Sequence, residues 1–179
     1  MTHGRRFLAV VTSGMLLAGL SGCYPRYQSL GGGTPLRPWV WSSHVVELTE
    51  RDLRVSGAEI VRLGDTTRII IPVDRIFKIN STELKPCGLA TLDYMARLLS
   101  FCPCSNIDIT VHTDNVFNDA RRKRLSTEQA NVIASHLWAQ GVARGRIHFV
   151  GCSDHDQVST DHTVFGSADN RRIEVAIRN

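Results

Sequence analysis

The sequence predicts an α+β sandwich, with two helices laid on one mixed β-sheet. Three observations carry that reading. Short β-branched runs alternate with two longer stretches of helical apolar spacing, in the order strand, helix, strand, helix, strand, strand, an order that an α/β sandwich would also satisfy. An Ile- and Val-rich hairpin precedes the first of those helices. The chain has 179 residues, 42% hydrophobic and 21% charged, which suits one core of roughly 100 to 150 residues plus attachments. That apolar content excludes disorder over the whole length.

The N-terminus reads as a processing signal. Arg5 and Arg6 form a basic start, Phe7 to Ala18 an apolar stretch, and Leu20-Ser21-Gly22-Cys23 follows at once. The run from Phe7 to Leu20 is too short for a lasting transmembrane helix, so a polytopic membrane protein is excluded. The tetrapeptide resembles a bacterial lipobox. That resemblance implies cleavage before Cys23, acylation of its thiol and amino group, and a chain that lives in the periplasm. Several acyl chains, at about 0.8 kcal/mol per buried CH₂, hold a protein on a membrane without a spanning helix. Residues 24–38 contain three prolines and Gly31-Gly32-Gly33 and read as a tether, about 50 Å long if extended. Trp39 and Trp41 could dock on the domain or on a partner. Residues 42–56 suit a short helix or a loop.

The hairpin spans Glu59 to Leu63, a Gly64-Asp65 turn, and Thr67 to Pro72. A helix is predicted from Pro86 to Leu99, with Pro86 in its first turn and Leu89, Leu92, Met95, Ala96 and Leu99 on one stripe. Ile107 to Val111 alternates as a strand. A second helix carries Leu125, Val132, Ile133 and Leu137 and stops near Gly141, a suitable C-terminal cap. Ile147 to Val150 and Arg172 to Ile177 complete the strands. Right-handed crossovers make the first three core strands parallel, so the loops Thr113 to Asp119 and after Gly151 leave from one edge, where ligands bind in such sheets.

The formal net charge of +4 includes both leader arginines, leaving +2 for the chain from Cys23 onward. The one dense basic run, Arg121-Arg122-Lys123-Arg124, reads as a solvated or anion-facing helix end, and nucleic acid is excluded as a partner. In an oxidising compartment Cys87, Cys102, Cys104 and Cys152 favour disulfides over metal–thiolate sites. A helix about 20 Å long separates Cys87 from Cys102 and Cys104, which leaves a Cys87–Cys152 bridge open. Cys152, Asp154, His155, Asp156 and His162 crowd one loop, but their spacing fits no metal motif. No phosphate loop or nucleophile arrangement is visible, so no cofactor and no enzyme activity is expected.

Val111-His112-Thr113-Asp114-Asn115, Leu125-Ser126, Ala130, Gly141-Val142, Ile147, Gly151 and Asn170-Arg171-Arg172-Ile173-Glu174 together resemble the OmpA-like peptidoglycan-binding domain. The resemblance covers roughly residues 67–178. It implies a two-layer βαβαββ sandwich whose four strands run in the order 1-4-2-3, with only the fourth antiparallel. The chain then divides into a lipoprotein signal peptide (1–22), a lipidated tether (23–38), an N-terminal extension with a hairpin strand (39–66) and the OmpA-like domain (67–179). The lipobox, tether, hairpin and Leu125-Ser126-Thr127-Glu128-Gln129-Ala130 further resemble the DotK-type lipoproteins of the Dot/Icm type IVB secretion apparatus. That likeness implies other subunits of a secretion complex as partners. Tyr24 after Cys23 implies the outer membrane, since the family's inner-membrane retention signal is an aspartate there.

The implied ligand is the diaminopimelate side chain of the peptidoglycan stem peptide, which ends in an ammonium and a carboxylate on one carbon. In the family pattern the aspartate of the Thr-Asp pair takes the ammonium, and Asp114 stands there. The arginine that grips the carboxylate lies fifteen residues later, where this chain has Gln129. An amide lacks the charge and paired donors of a guanidinium, a loss of roughly 1 to 3 kcal/mol or one to two decades in affinity. Gln129 has a second reading, as the far end of a Ser126-x-x-Gln129 capping box if the helix begins there. The pattern also departs at Phe117 (glycine in the family), Arg122 (asparagine) and Ser167 (arginine). The implied peptidoglycan-binding residues are Thr113, Asp114, Asn115, Gln129, Asn170, Arg171 and Arg172, with Arg121 or Arg122 as candidate auxiliary charge. Strand alternation sends one of Arg171 and Arg172 inward and the other outward. Asp114 could instead be a turn residue that caps the second helix. The competing function is a scaffold in the secretion complex with a vestigial wall site.

Overall fold

The computed structural model describes residues 43–102, 106–154, 156–159 and 163–178. The signal peptide, Cys23, the tether, Trp39, Trp41, Cys104, His155 and His162 lie outside the described residues. Helix α1 (Ser43–Val55) is followed by β1 (Glu59–Leu63), β2 (Thr66–Pro72), the one-turn helix α2 (Val73–Ile76), α3 (Pro86–Phe101) and β3 (Asn106–His112). Then come α4 (Asp119–Ala139), a 3₁₀ turn (Arg144–Arg146), β4 (Ile147–Ser153), α5 (Val164–Asn170) and β5 (Arg172–Arg178). The predicted hairpin, both long helices and the later strands are present. Helices α2 and α5, each under two turns, are too short to carry an apolar period and had no sequence signal. Among the described residues no helix is long and apolar enough to cross a membrane.

The sheet order is β1-β2-β5-β3-β4. β2 and β3 each pair antiparallel with β5, and β3 pairs parallel with β4. The four core strands β2, β3, β4 and β5 therefore run 1-4-2-3 with the last antiparallel. The sheet itself has five strands, not four, because β1 pairs along the outer edge of β2 from Glu59↔Ile70 to Leu63↔Thr66. Without β1 that edge would leave a row of unpaired backbone groups.

Alternation on these strands puts Ile69, Ile71, Ile107, Ile109, Val111, Ile173 and Val175 on one buried face, joined by Leu92, Met95, Leu99, Ile133 and Leu137 from the helices. Leu89, expected on the stripe of α3, is 41% exposed, while Leu98 is buried in the core. The opposite sheet face is polar, with Arg68 paired to Glu174 at 3.1 Å and Arg178 to Asp108 at 3.2 Å.

α4 lies on β4 and α3 against α2, and one glycine sets the close approach of each pair. A Cβ on Gly151 would stand 2.3 Å from the Thr127 nitrogen and 2.5 Å from Ser126 Oγ, and one on Gly88 would stand 2.3 Å from the Ile76 carbonyl oxygen. Ser126 Oγ accepts from the Ser153 N–H at 3.2 Å, and Lys123 Nζ donates to the Gly151 carbonyl at 2.6 Å. α4 ends as predicted: Gly141 takes φ 93°, and the N–H groups of Gly141 and Val142 reach back to the Trp138 and Leu137 carbonyls. Cys87 and Cys152 carry free thiols, so the bridge left open between them is not formed.

Candidate functional site

Sheet register decides which residues meet. Pro72↔Arg172 and Val111↔Ile173 bring the carboxyl ends of β2 and β3 to the start of β5, so Asp74, Asp114 and Arg171 converge just beyond the sheet. The Val73 N–H donates to the Arg171 carbonyl at 2.9 Å, which fixes α2, and with it Asp74, against that corner. Val73, Asp74, Asn80, His112, Thr113, Asp114, Phe117, Leu125, Gln129 and Arg171 line a shallow pocket there. Its cavity volume is about 10 Å³, room for about one water.

An ion-paired trio forms its floor. Arg171 Nη1 donates to Asp114 Oδ2 at 2.7 Å, while Nη2 and Nε donate to Asp74 Oδ2 at 2.7 and 3.3 Å. Hydrogen bonding to Asp74, and secondly to Asp114, holds the Arg171 guanidinium above its ordinary pKa despite the opposing effect of burial. Asp114 is buried and Asp74 is partly open. The second oxygen of Asp114 receives only a long 3.4 Å approach from the Val116 N–H. Asp74 and Asn80 were not among the expected site residues, since nothing in Pro72-Val73-Asp74 or the following loop marks them in sequence.

The other expected residues divide. Thr113 is buried beside Asp114, with its N–H bonded to the Ser153 carbonyl at 2.7 Å and its Oγ1 without a partner. Gln129 is 1% exposed, and its Nε2 donates to the Ser81 carbonyl at 2.9 Å. α4 begins at Asp119 with Asn118 as its cap, accepting from the Arg121 N–H at 3.0 Å. Ser126 and Gln129 therefore lie well inside the helix and form no capping box, and Asp114 does not cap it either. Asn115 is exposed, and its carbonyl takes a 3.4 Å contact from Arg122.

Arg122 is tied down by Asp119, by Asp154 at 3.2 Å and by the Phe117 carbonyl at 2.5 Å, so it is a loop fastener and not a spare charge. Arg121 lays its guanidinium over the Phe117 ring, 3.9 Å from the centroid, at the pocket rim.

Asn170 and Arg172 point elsewhere. Asn170 Oδ1 accepts from the Val158 and Ser159 N–H groups at 2.9 and 3.1 Å, and its Nδ2 donates to the Ser159 carbonyl at 2.8 Å, clamping the loop after β4. That loop, expected at the binding edge, contributes nothing to the pocket lining among the described residues. Arg172 binds Glu174 at 2.7 Å and the Asp156 carbonyl at 2.9 Å. Arg171 and Arg172 do diverge, and Arg172 pairs structurally with Glu174, but the cause is not strand alternation: Arg171 precedes β5, at the C-terminal cap of α5, and is not a strand residue. Among the described residues no group of three or more His, Cys, Asp or Glu is placed to hold a metal ion.

The Probable lipoprotein YiaD of Escherichia coli K12 is 32% identical over 149 residues, 83% of this chain and 66% of YiaD. Peptidoglycan-binding protein ArfA of Mycobacterium tuberculosis H37Rv is 31% identical over 101 residues, 56% of this chain and 31% of ArfA. The chain thus spans about two thirds of one relative and one third of the other. Among solved structures, the cell wall anchor of the T6SS from Pseudomonas aeruginosa superposes with a TM-score of 0.67 at 23% identity, covering 74% of this chain and 95% of that one. A MotB-like protein from Desulfovibrio vulgaris gives 0.65 at 19%, covering 76% and 95%. At those identities the two structures establish the fold alone. The OmpA family matches residues 76–171, a span that holds Asp114, Gln129 and Arg171 together with both long helices, and the chain belongs to that family.

Proposed function

We propose that this protein is an outer-membrane lipoprotein that anchors an envelope-spanning complex to peptidoglycan. The diaminopimelate end of a stem peptide binds, non-covalently, in the pocket at the carboxyl ends of β2 and β3, which opens beyond its one-water volume to admit it. The observation that carries this reading is the convergence of Asp74, Asp114 and Arg171 with Thr113 and Gln129 in one pocket, two anions and a cation beside hydrogen-bonding groups. The free oxygen of Asp114 takes the ammonium, a charge-assisted contact. Affinity for the zwitterion is weakened, because the amide at Gln129 already donates to Ser81. Family membership and the likeness to ArfA, a peptidoglycan-binding protein, support the ligand. The lipobox at Cys23 supports the lipid anchor, and the DotK-type resemblance supports a type IVB secretion complex as the anchored assembly.

A second reading, a scaffold acting only through protein–protein contacts, is favoured by one observation: Asp114 is buried and already neutralised by Arg171. Sedimentation with purified cell wall separates the two. Wild type is expected in the pellet, with Asp114→Ala and Asp114→Asn reduced about tenfold or more. Asn keeps the shape of the side chain and an acceptor for Arg171, so a loss in that variant reports charge recognition. Equal retention of all three proteins would remove any wall-binding role for the pocket.

A further inference from the structure

We infer that this pocket selects a diaminopimelate end whose distal carboxylate has been converted to a carboxamide. The inference rests on the wall-binding reading above and names which form of the stem peptide the site takes.

Gln129 shows it first. The partner of its Nε2 is a backbone carbonyl, which only accepts, so the amide orientation is fixed by chemistry. The opposite atom, Oε1, is buried and has no donor among the described residues. The position where the family pattern places a guanidinium therefore holds a bare acceptor, buried in the pocket lining, which a ligand meets only as that lining opens. A ligand carboxylate brought against that oxygen meets a second acceptor and no proton, whereas a carboxamide NH₂ donates to it.

The surrounding charge agrees. Asp74 and Asp114 contribute two negative charges and Arg171 one positive, already divided between them, so the pocket floor carries a net formal charge of −1, with Arg121 held out at the rim over Phe117. Such a wall attracts the ligand ammonium and opposes a neighbouring carboxylate. Thr113 Oγ1 is a second unpartnered polar atom in the same lining, and its hydroxyl supplies the donor that the carboxamide oxygen needs. A lysine-type end satisfies the charge but leaves Gln129 Oε1 unpaired.

Calorimetric titration of the purified full chain with three synthetic stem tripeptides tests this. They end in diaminopimelate, its distal carboxamide, and lysine. The carboxamide is expected to bind about tenfold tighter than the free acid, the worth of one satisfied buried acceptor, and several-fold tighter than lysine. Gln129→Arg is expected to reverse the order of acid and amide. Gln129→Met, which keeps the length of the side chain without Oε1, erases the preference while binding survives, and it covers the case in which a buried arginine unfolds the chain. Free acid binding as tightly as the amide, or lysine equalling it, overturns the carboxamide inference and leaves wall binding intact. No binding of any of the three overturns both.

Discussion

Gly151→Ala tests whether the packing of α4 on β4 is as rigid as the geometry indicates. The new methyl would lie 2.3 Å from the Thr127 nitrogen and 2.5 Å from both the Ser126 carbonyl carbon and Ser126 Oγ. Two of those three atoms are helix backbone, so no rotamer change relieves the overlap and α4 must shift away from the sheet. Overpacking of a tight core costs about 1 to 3 kcal/mol. The shift also stretches the bond from the Ser153 N–H to Ser126 Oγ and the one from Lys123 Nζ to the Gly151 carbonyl, adding roughly 1 kcal/mol. A total of about 2 to 4 kcal/mol corresponds to a fall in Tm of roughly 8 to 16 °C for a domain of this size. Thermal unfolding of residues 24–179, followed by circular dichroism, measures it directly. A fall under about 3 °C would show that helix and strand slide without penalty and that the close approach is not a constraint.

Other perturbations probe the pocket. Arg171→Met leaves Asp74 and Asp114 facing each other without their shared cation; about 2 kcal/mol of stability should be lost in urea unfolding, less than for a fully buried pair because Asp74 is partly solvated. Asn170→Ala removes three hydrogen bonds to Val158 and Ser159; those amides should lose hydrogen-exchange protection while wall retention stays near wild type, since Asn170 is not part of the pocket lining. Phe117→Ala removes the rim ring that carries Arg121; the cavity widens, and stem-peptide affinity should rise several-fold with stability changed by less than about 1 kcal/mol. A fall in affinity would make the ring a ligand contact and not a barrier.

The long elements were legible because each repeats a burial period. Ile107, Ile109 and Val111 alternate, and Leu92, Met95 and Leu99 recur at helical spacing, so every residue votes for the same element. The family pattern then supplied the strand order, which no local period encodes. The site was half legible. Asp114, Gln129 and Arg171 do meet, but Asp74 reaches them only through the register Pro72↔Arg172 across 100 residues, and a single sequence carries no trace of that pairing. Asn170 and Arg172 sit beside Arg171 in the motif yet serve the loop after β4, because the end of α5 turns successive side chains in different directions. Arg122 looked like a spare cation by its spacing, and the loop carbonyls and carboxylates that consume it became visible only in three dimensions.

The trio of Asp74, Arg171 and Asp114 has a consequence for how a weak site can still serve as an anchor. Arg171 already holds both carboxylates, so a ligand ammonium must share one of them with it. Exchange of one charge-assisted bond for another yields little net free energy, which keeps intrinsic affinity low. Under the proposed function, a domain held on the outer membrane by acyl chains, on a tether that could reach about 50 Å if extended, does not need more. Confinement within reach of the wall raises the effective ligand concentration to the order of millimolar, so a dissociation constant of that order gives substantial occupancy with rapid release. On this reading the replacement of a guanidinium by Gln129 trades tight adhesion for a contact that yields when the complex moves relative to the wall. Removal of the lipid anchor should then weaken wall association in intact cells, where confinement is lost, while sedimentation with purified cell wall at high protein concentration stays unchanged.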